Sequence, residues 1–315
     1  MRCRICGYEG DLSDFEADFT NHLGYWCPCC DSFSYTSDED EKRRLFLLWL
    51  EDVKHGHPLT ERKKIRQNVS PLRYPGGKTK LLPYIASIIP KGTKRVVEPY
   101  CGGGSISLAL LLSGMVQQIR LNDVQPGVSE MFKTIITDPE YIIRRLYDTK
   151  PDAEIYEQYR NEILQSSDGL DQKELGFRFL YCNRIAYSGI ILGNAMTDPK
   201  SRYNPRTLAK RIAAIWEKRD CIEVTSDDAL KVIEEEYWTG EQTLLFVDPP
   251  YRQKGPQLYP KAYTDEDHDN LCALVENLYR EVSGANIIMT YDNDEYIKQL
   301  YEIPKTEIIK PVYSI

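Results

Sequence analysis

Asp248-Pro249-Pro250-Tyr251 stands directly after the apolar run Leu244-Leu245-Phe246-Val247. A carboxylate, two prolines and an aromatic ring at the end of a buried strand make a site for a planar ring that carries an exocyclic amine. Asp248 accepts from an N–H and Tyr251 offers a face for stacking. The prolines have fixed φ and no backbone N–H, so they stiffen the chain and leave carbonyl oxygens as acceptors. An ordinary strand end followed by a turn accounts for the same four residues, because Asp and Pro both favour turns. What separates the two readings lies upstream.

Glu98-Pro99-Tyr100-Cys101-Gly102-Gly103-Gly104-Ser105 follows a short apolar run and precedes a helical pattern. Glycines at a strand-to-helix turn let a ligand approach the backbone, and the helix N-terminus adds a positive dipole end. The spacing is wrong for the Gly-x-Gly-x-x-Gly turn that holds a pyrophosphate. Asp123, in Leu121-Asn122-Asp123-Val124, closes the next strand and is placed to accept both hydroxyls of a ribose. A glycine-rich turn with such an acid suits an adenosyl group without phosphates, although Asp123 is equally compatible with a helix N-cap. Ahead of the first strand, Leu72-Arg73-Tyr74-Pro75-Gly76-Gly77-Lys78 offers an aromatic for an apolar or cationic ligand and a lysine for a carboxylate.

Five of the nine cysteines fall at Cys3, Cys6, Cys27, Cys29 and Cys30, and the others are scattered. Cys3-x-x-Cys6 and Cys27-x-x-Cys30 predict two knuckles completing a tetrahedral Zn²⁺ site, in a unit too small to fold on its own core. Cys29 is an alternative to Cys27 or Cys30, and His22 reads as a surface residue. Redox-active or buried thiols are the alternative to zinc.

The elements that would position these residues follow a simple rhythm. Strands are expected at Arg95-Val96-Val97, Gln118–Leu121, Cys221–Val224, Leu244–Val247 and Ala285–Thr290. Helices are expected over Ser105–Leu112, Gly127–Ile136, Asp228–Glu236 and Asp265–Val282. Such alternation predicts an α/β fold with a doubly wound, mostly parallel sheet. Between the two blocks, residues 138–218 break the rhythm with Tyr- and Arg-rich helices and a loop over Gly193–Pro205, as an inserted domain does. The expected organisation is a zinc ribbon at 1–36, a charged helical linker at 37–69, the α/β domain at 70–137 and 219–315, and the insertion at 138–218.

The chain has 315 residues and a net charge of −8, from 40 basic and 48 acidic residues, which excludes a uniformly basic surface. Basic charge is concentrated in two tracts: seven basic residues against Glu61 between Glu61 and Lys80, and seven against Glu217 between Lys200 and Arg219. Such tracts meet a phosphate backbone or form solvated helix faces. No apolar run approaches the ~20 residues of a membrane span and no signal segment opens the chain, so a cytoplasmic protein is expected.

Taken together, Arg73-Tyr74-Pro75-Gly76-Gly77-Lys78, Glu98-Pro99-Tyr100 with Gly102 and Gly104-Ser105, Asn122-Asp123, and Asp248-Pro249-Pro250-Tyr251 resemble the Dam-type DNA adenine methyltransferases of the alpha group. In that group the cofactor motifs precede the recognition domain and the catalytic tetrapeptide follows it. Asn183-Arg184, Tyr187-Ser188-Gly189 and Arg202-Tyr203-Asn204-Pro205 are similar to the family's recognition signature.

The resemblance, covering about Ser70 to Ile315, implies a Rossmann-like methyltransferase sheet with a mainly helical recognition insertion, S-adenosylmethionine as cofactor and double-stranded DNA as partner. It implies cofactor contacts at Tyr74, Gly76, Gly77, Lys78, Glu98, Tyr100, Gly102, Gly104, Ser105, Asp123 and Asp248, with Asp228, or else Asp227, near the adenine. It further implies catalysis at Asp248, Pro249, Pro250 and Tyr251 on an extruded adenine, and DNA contact by Asn183, Arg184, Tyr187, Arg202, Asn204 and Arg206. The zinc unit is absent from minimal members. The strand that usually closes the sheet is not expected before Ile315. A functional pairing with a restriction endonuclease and a monomer or weak dimer fit the same resemblance. Cytosine-N4 methylation, an RNA substrate, and a DNA-binding protein with a decayed methyltransferase domain are the alternatives.

Overall fold

The computed structural model describes residues 16–18, 24–26, 33–35, 68–73, 77–166, 169–198, 202–253, 255, 262–281, 283–304 and 306–309. The chain divides into two compact units, Met1–Asn68 and Val69–Ile315. In the first, β1 (Glu16–Asp18), β2 (Gly24–Trp26) and β3 (Phe33–Tyr35) pair antiparallel in that order. The expected zinc ligands Cys3, Cys6, Cys27 and Cys30, with Cys29, lie outside the described residues, as do Tyr74, Gly76 and the expected linker helix.

In the second unit, α1 (Leu82–Ile88) leads into β4 (Arg95–Glu98), α2 (Ser105–Leu112), β5 (Gln118–Asn122) and α3 (Val128–Thr137). The insertion supplies α4 (Pro139–Asp148), α5 (Ala153–Ser166), α6 (Gln172–Ile185) and α7 (Pro205–Trp216). The sheet then resumes with β6 (Ile222–Thr225), α8 (Ala229–Tyr237), β7 (Thr243–Val247), α9 (Asp265–Glu281), β8 (Asn286–Met289) and α10 (Glu295–Leu300).

Side-chain caps set several helix starts. Asp138 accepts from Tyr141 N ahead of Pro139, Asn204 accepts from Thr207 N ahead of Pro205, and Asp171, Asp228 and Asp294 cap α6, α8 and α10. Each satisfies backbone donors that the first helical turn leaves open.

The five strands are all parallel, in the order β6-β5-β4-β7-β8. Every residue of β7 is buried, the mark of a parallel strand covered on both faces. On one face Val97, Leu245 and Val247 pack with Val232, Ile233 and Leu271 from α8 and α9. On the other, Leu121 lies under Gly104 and Leu108 at the start of α2, a helix buried from Ile106 to Leu111. The chain builds outward from β4 to β5 and β6, then returns to the opposite side of β4 for β7 and β8. The switch therefore lies between β4 and β7, where an open α/β sheet leaves a crevice at its strand C-terminal ends. Among the described residues β8 pairs with β7 alone.

Candidate active site

Glu98, Asp123 and Asp248 come from three strand ends around this switch. Glu98 ends β4, and its Oε1 accepts from Ser107 N at 2.6 Å. The reason is local: Gly104, the N-cap of α2, has a left-handed φ of 59° and no side chain, so Glu98 supplies the missing acceptor. Burial pushes the Glu98 carboxyl up to about 7, with Asp248 adding to the rise and the Ser107 contact and Lys78 opposing it. Asp123 follows β5 and accepts from Gly102 N at 2.8 Å and Gln125 N at 2.9 Å. It is not a helix cap, since α3 begins five residues later on Gly127 and Glu130. The glycine turn and the acid beyond the next strand are thus joined directly, and burial holds the Asp123 carboxyl at about 6.

Asn122, which sequence reasoning left without a task, ties this turn to a third loop. Its Oδ1 accepts from Thr225 Oγ1 at 2.7 Å and Asp227 N at 2.8 Å, while its Nδ2 donates to the carbonyls of Pro99 and Asp227, both at 2.9 Å. The amide is 0% exposed with all four capacities used. Asp227 pairs with Arg120 Nη2 at 3.0 Å, turning it towards the Arg120 ion network, whereas Asp228 caps α8. Asp228 lies near Tyr100 and Tyr263 and helps burial raise both phenols. These two rings meet edge to face, their hydroxyls 2.6 Å apart.

Asp248 pairs through Oδ2 with Lys78 Nζ and accepts through Oδ1 from Thr290 Oγ1 at 2.7 Å. Thr290 was missed, although the register carries the signal: Val247 lies beside Met289 in parallel strands, so the next residues, Asp248 and Thr290, are neighbours. Lys78 also sits over the Tyr251 ring, 4.9 Å from its centroid. Among the described residues no hydrogen bond reaches the Pro249 or Pro250 carbonyl, which leaves both as acceptors. Gly77 is the N-cap of the short helical turn Lys78–Leu81, and Ser105 is the first residue of α2.

The insertion residues divide into inward and outward groups. Asn183 and Arg184 are both buried. Asn183 bonds the backbone of Arg73 and Gly189. Arg184 donates through Nε and Nη2 to the Arg202 carbonyl, and burial together with the charges of Arg73 and Arg202 lowers it to about 9. Neither side chain forms the surface; they hold it. Tyr187 is 70% exposed and Arg202 is exposed, while Arg206 and Asn204 are intermediate, the latter engaged as the α7 cap.

Three carboxylates thus stand at neighbouring strand ends, with a lysine paired to one of them and two proline carbonyls beside it. The model of the family described as D12 class N6 adenine-specific DNA methyltransferase matches residues 74–314. The chain belongs to this family. The methyltransferase is 26% identical over 263 residues to the type II methyltransferase M1.LlaDCHI of Lactococcus lactis subsp. cremoris, covering 78% of this chain and 88% of the relative. It is 22% identical over 254 residues to the type II methyltransferase M.MjaIII of Methanocaldococcus jannaschii, covering 73% and 87%. It is also 22% identical over 261 residues to the DNA adenine methylase of Haemophilus influenzae, covering 78% and 86%. Membership makes it an enzyme that methylates adenine N6 in DNA with S-adenosylmethionine.

The methyltransferase's own residues fit that cofactor. Glu98 and Asp123 are buried carboxylates raised by desolvation, so a cation brought to them is favoured. Gly102 and Gly104 both take positive φ, at 46° and 59°, and Gly104 is backed by Leu121 and Leu108. Among the described residues no group of acidic, His and Cys side chains is arranged to hold a metal, and no helix is long and apolar enough to cross a membrane.

Proposed function

We propose that adenine is methylated at Asp248-Pro249-Pro250-Tyr251 after it has been extruded from duplex DNA. The observation that carries this reading is the Asp248 carboxylate, fixed on two sides by Lys78 and Thr290 beside unengaged proline carbonyls. The amine of adenine is a poor nucleophile because its lone pair is delocalised into the ring. Asp248 and the Pro249 carbonyl accept from its two N–H bonds, which favours a pyramidal nitrogen and localises the pair. Tyr251 stacks on the base and holds its plane. S-adenosylmethionine, when bound, would supply the electrophilic methyl carbon of its sulfonium to the nitrogen and keep the carbon–sulfur bonding pair as a neutral thioether. The amine proton would leave to water past the 20%-exposed Asp248 side chain. Orientation and fixed acceptors account for the rate, with no covalent enzyme intermediate.

Asp123 accepts the ribose hydroxyls, Asp228 and Tyr100 stand by the adenine of the cofactor, and Lys78, Glu98, Gly77, Gly102, Gly104 and Ser105 surround its amino-acid part. Tyr74 and Gly76 complete this set by sequence. Tyr187, Arg202 and Arg206 form the DNA contact of the insertion at 138–218, supported from beneath by Asn183 and Arg184 and from the side by Asn204. An extruded base gives the chemistry access to an atom that pairing hides. Cys3, Cys6, Cys27 and Cys30 hold a structural Zn²⁺. The names of two relatives as type II methyltransferases support pairing with a restriction endonuclease, and the protein acts in the cytoplasm as a monomer or weak dimer.

Labelled S-adenosylmethionine is incubated with plasmid DNA, followed by sequencing that detects modified bases. Wild type is expected to give N6-methyladenine and Asp248→Ala none, with unchanged circular dichroism. Undiminished methylation by Asp248→Ala overturns the assignment.

A further inference from the structure

Asn183 sits in the insertion, 1% exposed, yet its amide is spent on a segment from the other side of the sequence. Oδ1 accepts from Arg73 N at 2.8 Å, a residue 110 positions earlier, and Nδ2 donates to the carbonyls of Arg73 and Gly189 at 3.0 Å each. Taking both backbone groups of one residue fixes its position and orientation at once.

Gly189 completes the grip. Its φ is 76°, and a Cβ there would fall 1.9 Å from the Arg73 carbonyl oxygen, so this backbone is pressed directly onto Arg73. The preceding Ser188 is the only described non-glycine with positive φ, at 56°. On α7, Arg211 Nη1 donates to the Ser70 carbonyl at 2.8 Å. Val69 to Leu72 are buried. The segment leading to the site is thus held by α6, the turn after it and α7, all insertion elements. Five residues beyond Arg73, Lys78 is fixed at the other end by Asp248 and Tyr251.

We propose that Asn183, with Gly189, is a positioning residue for the cofactor: it fixes Arg73, five positions before Lys78 in the sequence, so that cofactor affinity is set from within the insertion. This rests on the reading of Lys78 and Asp248 as part of the cofactor site. Any ligand that orders or displaces this part of the insertion then changes cofactor affinity, and the cofactor changes that ligand's affinity by the same factor.

The test is calorimetric binding of S-adenosylmethionine to the full chain without DNA, beside thermal melting. Asn183→Ala and Gly189→Ala are expected to weaken binding by about tenfold, through loss of buried hydrogen bonds in one case and a backbone clash in the other. Asn183→Asp keeps the acceptor for Arg73 N but loses both donated bonds, and serves if the alanine variant does not fold. Tyr156→Phe is the control, because it removes another part-buried bond of the insertion, Tyr156 Oη to the Gly193 carbonyl at 2.8 Å, which does not touch Arg73. It is expected to lower the melting temperature and leave cofactor binding as in wild type.

Binding within about twofold of wild type in the folded Asn183 and Gly189 variants overturns the proposal, as does an equal loss in Tyr156→Phe. Lys78→Ala separates the two readings. If it binds the cofactor normally, the site assignment fails; if it binds weakly while Asn183 variants bind normally, only the anchoring role fails.

Discussion

Replacing Asn122 by alanine tests how the proposed cofactor site is held. The side chain is fully buried and joins three loops: the turn at Pro99, the segment entering Asp123, and the stretch from Thr225 to Asp227. Alanine strips partners from two carbonyls, one amide and one hydroxyl. An unsatisfied buried group costs about 1–3 kcal/mol, and the Thr225 hydroxyl is free to rotate while water enters the space left by the amide. A loss of about 3 kcal/mol is expected, large for one substitution.

Cofactor binding is expected to weaken by at least about tenfold, because both Asp123 and the residue before Asp228 lose their tether. Urea denaturation measures the first quantity and calorimetry the second. Asn122→Asp adds a pH signature. A carboxylate keeps the two accepted bonds but faces the Pro99 and Asp227 carbonyls across 2.9 Å, so its defect is expected to shrink as pH falls and the acid regains a donor. Stability within about 1 kcal/mol of wild type, together with unchanged cofactor affinity in Asn122→Ala, refutes the tether.

Thr290→Val removes the hydroxyl that bonds Asp248 Oδ1 with little change of shape; a fall in kcat of about tenfold with cofactor binding intact is expected from single-turnover assays, and an unchanged rate removes Thr290 from the site. Burial raises Glu98 to about 7, so the native state retains a proton that the unfolded chain releases at lower pH, and this group's contribution to stability is lost as pH rises from about 4.5 to about 7. Urea titrations from about pH 5 to about pH 8 are expected to show the stability of wild type falling relative to Glu98→Gln by about 2–3 kcal/mol; parallel curves would place the carboxyl in water. Arg202→Ala is expected to weaken DNA binding evenly across sequences and reduce the slope of log affinity against log salt by about one, while an unchanged slope makes this arginine plain surface.

The strands were legible because their residues admit little else. Val96-Val97 and Leu244–Val247 are short apolar runs between turn residues, and the helix over Ser105–Leu112 has the bounds read from the sequence. The glycine turn and Asp123 were paired by type and position, and a hydrogen bond joins them. Asn183 was not legible as a buried anchor, for a physical reason. From Leu175 to Ile185 every residue of α6 but the half-buried Arg178 is buried, so little polar face marks which side chains turn inward. Asn122 hides in the same way, as a polar residue closing a strand whose partners lie far along the chain. Thr290 becomes visible only once two strands are set in register. The cysteine knuckles, the clearest spacing in the chain, lie among residues the structure does not describe.

Everything between β5 and β6 departs from one strand and returns on its immediate neighbour, at the flank of the sheet away from β7 and β8. A chimera that transplants this excursion from one relative to another leaves the strands bearing Glu98 and Asp248 untouched, so if the insertion reads DNA as proposed, the hybrid is expected to take the donor's target. The graft has one hidden requirement. The donor turn must grip the host's chain at Arg73 as Asn183 and Gly189 do here, and a mismatch at that junction is expected to silence the hybrid even when both halves are individually sound.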